Sequence, residues 1–100
     1  MSKIVTDRQF NLLVNHLDAP FKEKLTLSEA LDWIREEKEI YCGVYPFMWG
    51  YKGMAIIQDK YNPCTIEVEP LSTHTLAESA LLDSLLDYLE KANNNIDQQS

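Results

Sequence analysis

Sixteen acidic residues against nine basic give this 100-residue chain a formal charge of −7, which repels phosphate backbones and anionic lipid surfaces and so disfavours direct nucleic-acid binding. Its 45% apolar and 25% charged residues fall in the range of ordinary folded domains and outside disordered compositions, and the length suits a single domain that buries roughly 60–70% of its unfolded surface. The N-terminus, Met-Ser-Lys-Ile-Val-Thr-Asp-Arg, lacks the continuous apolar region of a secretory signal. No segment approaches the roughly 18 apolar residues of a membrane span, so a cytoplasmic protein is expected.

In chain order, Thr6 to Leu17 is the first periodic segment, with Phe10, Leu13, Val14 and Leu17 on one helical face and Thr6 with Gln9 forming a capping box. Pro20 disfavours helical geometry at Ala19, so this helix ends near Leu17 or Asp18 and residues 18–25 form a connector. A second box, Thr26-Leu-Ser-Glu29, opens a helix that buries Leu27, Ala30, Leu31 and Ile34 and runs to about Lys38. Ile40, Cys42 and Val44 then alternate with Tyr41, Gly43 and Tyr45, the period of a strand, and Pro46 marks its end, a bulge or an edge position. Trp49 and Gly50 sit at the reversal.

Tyr51 to Gln58 reads as a second strand, Asp59 to Pro63 as a polar turn, and Cys64 to Glu69 as a third strand with Cys64, Ile66 and Val68 on its apolar side. After Pro70, Thr75-Leu-Ala-Glu78 repeats the capping-box pattern. It is expected to open the longest helix, with Leu81, Leu82, Leu85, Leu86 and Leu89 across a wide apolar face. The arrangement is an α+β two-layer domain: a three-stranded antiparallel meander with two main helices on one face, preceded by a short N-terminal helix. Residues 1–25 are the helix and connector, 26–91 the α-β-β-β-α core, and 92–100 a polar tail expected to be flexible.

The α-β-β-β-α order is also that of double-stranded RNA-binding domains, but the residues do not follow the topology. Such domains contact phosphates from a lysine-rich start to the last helix, and here no basic residue follows Thr75 until Lys91. Cys42, Cys64, His74 and His16 show neither Cys-x-x-Cys nor His-x-x-x-His spacing, so no metal or cofactor is expected. On opposite outer strands, two spacings of about 4.8 Å would part the cysteines beyond disulfide reach. With no glycine-rich elbow or phosphate loop, no catalytic residue is expected and the chain reads as a non-enzyme.

What departs from a bland domain is aromatic. Tyr41, Tyr45, Phe47, Trp49 and Tyr51 crowd the first hairpin, and Met54 and Ile56 alternate with Ala55 and Ile57, so both faces of both strands are apolar. Either the N-terminal helix covers the second face or that face is an interface for a second copy or a protein partner, for which Tyr and Trp are favoured. The expected function is therefore a non-enzymatic interaction module. An alternative is an acidic decoy presenting Asp83, Asp87 and Glu90 to a nucleic-acid-binding protein; a third is a small enzyme built on Cys42, Cys64 and His74.

The motif Thr26-Leu-Ser-Glu-Ala-Leu-Asp-Trp-Ile-Arg-Glu-Glu-Lys38, a strand beginning Ile40-Tyr41 and the closing Thr75-Leu-Ala-Glu-Ser-Ala-Leu-Leu82 together resemble a family of small uncharacterised proteins of anaerobic gut-type bacteria and their prophages. The resemblance covers about residues 26–90. It implies an α+β fold and a place on mobile or phage-derived DNA, with no activity or catalytic residue to carry over.

Overall fold

The computed structural model describes residues 3–58 and 63–99. Helix α1, Asp7–Asn11, is capped as its residues dictate: the Gln9 N–H donates to Thr6 Oγ1 at 3.2 Å, and the Thr6 N–H donates to Gln9 Oε1 at 2.9 Å. It runs directly into a π-helical turn, Leu12–His16. The wider turn breaks the 3.6-residue period, so the buried set is Gln9, Leu12, Leu13 and Leu17, while Phe10 and Val14 from the expected stripe are only half-buried. Asp18, in the left-handed region at φ 56°, ends the turn, and the Ala19 N–H donates to the Leu13 carbonyl.

Helix α2, Leu27–Glu37, starts at the Thr26–Glu29 box and buries the predicted Leu27, Ala30, Leu31 and Ile34. Strands β1 (Tyr41–Phe47), β2 (Gly50–Ile57) and β3 (Cys64–Glu67) form an antiparallel meander in the order β1-β2-β3. The element order is thus α-α-β-β-β-α, an α+β fold. Pro46 lies inside β1, which it can do because β1 is an edge strand. The third strand stops at Glu67, although the Val68 N–H still donates to the Gly53 carbonyl. Of the predicted turn before it, Asp59 to Asn62 lie outside the described residues.

Helix α3, His74–Gln99, is capped two residues before the expected Thr75. Its cap is Thr73, whose Oγ1 accepts from the Leu76 N–H at 3.1 Å while its carbonyl accepts from Ala77. Glu78 is freed from the box role and sits buried, accepting from Ser28 Oγ of α2 at 3.0 Å and paired with His74 at 3.3 Å. The helical backbone also continues through the segment from Ala92 that composition reads as a tail; no Pro or Gly after Pro70 interrupts it.

The core lies between α2, α3 and one sheet face. Leu81, Leu82, Leu85 and Leu86 pack with Leu27, Leu31, Ile34, Ile40, Ala55 and Ile57, and each fully buried leucine contributes roughly 2 kcal/mol of hydrophobic stabilisation. The N-terminal helix does not cover the other sheet face. Among the described elements α1 and its π turn touch α3 and no strand, because their polar groups are committed there. The fully buried Gln9 donates through Nε2 to Asp83 Oδ1 at 2.9 Å and to Ser79, and Arg8 pairs with Asp87 at 2.6 Å and Asp83 at 3.5 Å.

Candidate functional site: the open sheet face

Strand parity decides which side chains are left outside. Ala55 and Ile57 face the helices with Cys42, Val44, Cys64 and Ile66, so Met54 and Ile56 turn outward with Tyr41, Gly43, Tyr45 and Phe47. The register places Tyr41 beside Ile56 and Thr65, Gly43 beside Met54 and Glu67, and Tyr45 beside Lys52. Tyr41 is 66% exposed and Ile56 40%, unusual values for large apolar groups on a sheet.

The face is apolar at β1 and charged toward β3. Tyr45 and Phe47 meet edge to face at 6.3 Å, and Lys52 Nζ lies 4.9 Å above the Phe47 ring and 3.7 Å from Glu67. A shallow groove of about 310 Å³ lies along β1 over Tyr41, Cys42, Gly43, Val44, Tyr45, Met54 and Ile56, with Arg35 at its rim. A Cβ built on Gly43 would meet nothing within 4 Å, so the groove floor is open at that point.

At one end of the face the hairpin closes in two residues, Met48 and Trp49. Met48 takes φ 47°, a conformation that costs a side-chain-bearing residue about 1–2 kcal/mol. It is 89% exposed and Trp49 is 69% exposed, so the tip presents two large apolar side chains to solvent. Sequence reasoning singled out Trp49 and missed Met48. The available signal was the brevity of the loop, which forces one of its residues to positive φ with no glycine at either position.

Of the five expected interface residues, Tyr41, Tyr45 and Phe47 share the outer face and Trp49 extends it at the tip. Tyr51 does not belong to it. It has the helix-facing parity of Gly53 and Ala55, and its ring packs edge-on against His74 at 5.5 Å. The Tyr51 N–H and carbonyl pair with Leu71, both at 2.8 Å, and this pairing brings the Leu71 backbone so close to Gly50 that a Cβ there would lie 2.2 Å from the Leu71 oxygen.

Cys42, Cys64 and His74 are not brought together. Cys42 lies on β1 and Cys64 on β3, both free and separated by β2, while His74 stands at the start of α3. Cys42 Sγ points to the Leu31 carbonyl at 3.9 Å, and burial pushes its thiol pKa up, against the opposing pull of Arg35, which favours the protonated form of this half-buried group. Among the described residues no three His, Cys, Asp or Glu side chains group as metal ligands, and no helix is long and apolar enough to cross a membrane. Asp83 and Asp87, two of the three residues of the acidic-decoy reading, are occupied by Arg8 and Gln9. Comparison of the chain with models of protein families, with curated proteins and with solved structures gives no match.

Proposed function

We propose that the chain is a non-catalytic interaction module whose binding surface is the open sheet face with the Met48–Trp49 tip. The observation that carries this reading is the row of exposed Tyr41 and Ile56 beside half-buried Tyr45 and Met54, behind a tip that holds Met48 at positive φ. Apolar area of this kind is stabilising only when a partner removes it from water, and rigid aromatic side chains lose little entropy on being buried. Strain at an exposed tip fits the same reading, since backbone strain collects at sites that serve a contact. The acidic-decoy alternative has less support, because Arg8 and Gln9 already bind two of the three carboxylates it would display, Asp83 and Asp87.

Site-specific photo-crosslinking in the native host tests the proposal. A benzophenone side chain replacing Tyr41 is expected to give discrete adducts, and one replacing the exposed Glu36 on the helix layer to give none. Absence of adducts from Tyr41, or equal yield from both positions, would overturn it.

A further inference from the structure

The hydrogen-bonding pattern shows which backbone groups β1 leaves free. In β2 the backbone groups of Tyr51 are bonded to Leu71, and the Gly53 carbonyl accepts from Val68, so the odd-numbered residues of β2 point toward β3. Its even-numbered residues therefore bond to their β1 partners, which are Tyr41, Gly43, Tyr45 and Phe47. Cys42, Val44 and Pro46 are left pointing their backbone groups away from the sheet, and among the described residues no strand pairs with that side of β1.

This edge is unlike the other one. Strand β3 carries Glu67, the kind of charge that keeps edges apart, and is four residues long. Strand β1 is seven residues long, Tyr-Cys-Gly-Val-Tyr-Pro-Phe, without a charge. Two features do limit it: Pro46 has no N–H to donate, and the Cys42 carbonyl already accepts from Arg35 Nη1 at 2.8 Å. Arg35 comes from α2 on the helix side of the sheet, passes within 4.0 Å of Cys42 Sγ and reaches the rim of the outer groove at the β1 edge.

Those two features fit each other across a two-fold axis. We infer that β1 pairs antiparallel with β1 of a second copy, centred on Val44, to give a continuous six-stranded sheet. In that register the two Val44 residues exchange both N–H···O bonds, and each Cys42 N–H reaches the Pro46 carbonyl of the other copy. The donor that Pro46 lacks would face the Cys42 carbonyl, whose partner is Arg35. On the outer face Tyr45 of each copy lies over Gly43 of the other, filling the open space there, and Tyr41 lies opposite Phe47. Registers centred one residue away set Gly43 against Gly43 or require a second donor for the Cys42 carbonyl. The inference rests on the aromatic sheet being the binding surface, and adds that the occupant of its β1 edge is a copy of the same chain.

Light scattering over a concentration series tests it together with amide exchange. The expected mass rises from 11.6 kDa toward twice that value, and the Val44 amide becomes protected as it does so. Gly43→Lys has room in the single chain, so it is expected to leave the melting temperature unchanged or higher while holding the mass at the monomer value. Thr65→Lys, on the far strand, is expected to leave the mass of the pair unchanged. A mass fixed at 11.6 kDa with a freely exchanging Val44 amide at the highest concentration overturns the inference, as does a Gly43→Lys chain that still pairs. If the chain stays monomeric while Tyr41 cross-links to a different protein, the second copy is wrong and the binding face stands.

Discussion

Gly50 and Gly43 lie on the same hairpin, yet alanine at the two positions should shift stability in opposite directions. At Gly50 the added methyl would sit 2.2 Å from the Leu71 oxygen and 3.0 Å from its carbonyl carbon, more than an ångström short of ordinary contact with the first. The obstacle is backbone, so no rotamer change relieves it. Leu71 has to retreat, which breaks its two 2.8 Å bonds with Tyr51. Those bonds are worth about 1 kcal/mol each, residual strain adds about 1, and the lower entropy of an unfolded chain with alanine returns about 0.5, for a net loss of roughly 2–3 kcal/mol. At Gly43 nothing lies within 4 Å of the new Cβ, so only the entropy gain applies, about 0.5 kcal/mol of stabilisation. Urea unfolding of the dilute chain reads both. With slopes of about 1–1.5 kcal/mol/M, Gly50→Ala should lower the midpoint by about 1.3–3 M at unchanged slope and Gly43→Ala should raise it slightly. Shifts of the same sign, or a Gly50→Ala loss under about 1 kcal/mol, would refute the close approach of Leu71 on which the closed end of the sheet depends.

Gln9→Ala removes a fully buried bridge between α1 and α3 and should cost about 2–3 kcal/mol by thermal or urea unfolding. Gln9→Glu should add a pH dependence. The introduced carboxyl would sit beside Asp83 with its folded pKa raised, so the variant is closest to wild type below about pH 4.3 and loses stability as pH rises through the folded value. Thr73→Ala should destabilise by about 1 kcal/mol through loss of the α3 cap and Thr75→Ala by much less; the reverse order would place the cap at Thr75. Met48→Gly relieves the positive φ of the tip and should raise the melting temperature by about 2–4 °C, a net gain of about 0.5 kcal/mol, while shortening the apolar tip available to a partner.

Elements governed by local rules were legible in the sequence. The Thr6–Gln9 and Thr26–Glu29 boxes are satisfied within four residues, and the α2 stripe and the alternation of β1 follow from periods that no distant residue alters, whereas the period of β2 leaves open which of its two apolar pairs faces the helices. Two of the misplaced features, the start of α3 and the π turn, depended on partners far along the chain. Thr75-Leu-Ala-Glu78 looks like a third box, but burying Glu78 against Ser28, fifty residues away, moves the start of the helix to Thr73. Tyr51 was grouped with its aromatic neighbours by proximity in sequence. The two-residue turn sets its parity, which places it against His74. The π turn after Asn11 likewise serves packing on α3 and has no signature in a 3.6-residue pattern.

The position of α1 is what makes the bare sheet face meaningful. A helix with Phe10, Leu13 and Leu17 could in principle have been spent covering Tyr41 and Ile56. Its polar groups prevent that: Gln9 and Arg8 are matched to Ser79, Asp83 and Asp87 on α3, and the segment before it is tied to the start of α2 by Val5 N–H to Leu25 O and Leu27 N–H to Lys3 O. Moving α1 to the other layer would break these bonds and leave Gln9 without its partners, a cost larger than the hydrophobic gain from covering one or two side chains. The acidic residues that suggest a decoy by their spacing therefore serve to hold the N-terminal helix on the helix side. None of the described elements covers Tyr41 and Ile56, and the β1 edge beside them leaves backbone groups as well as apolar area open.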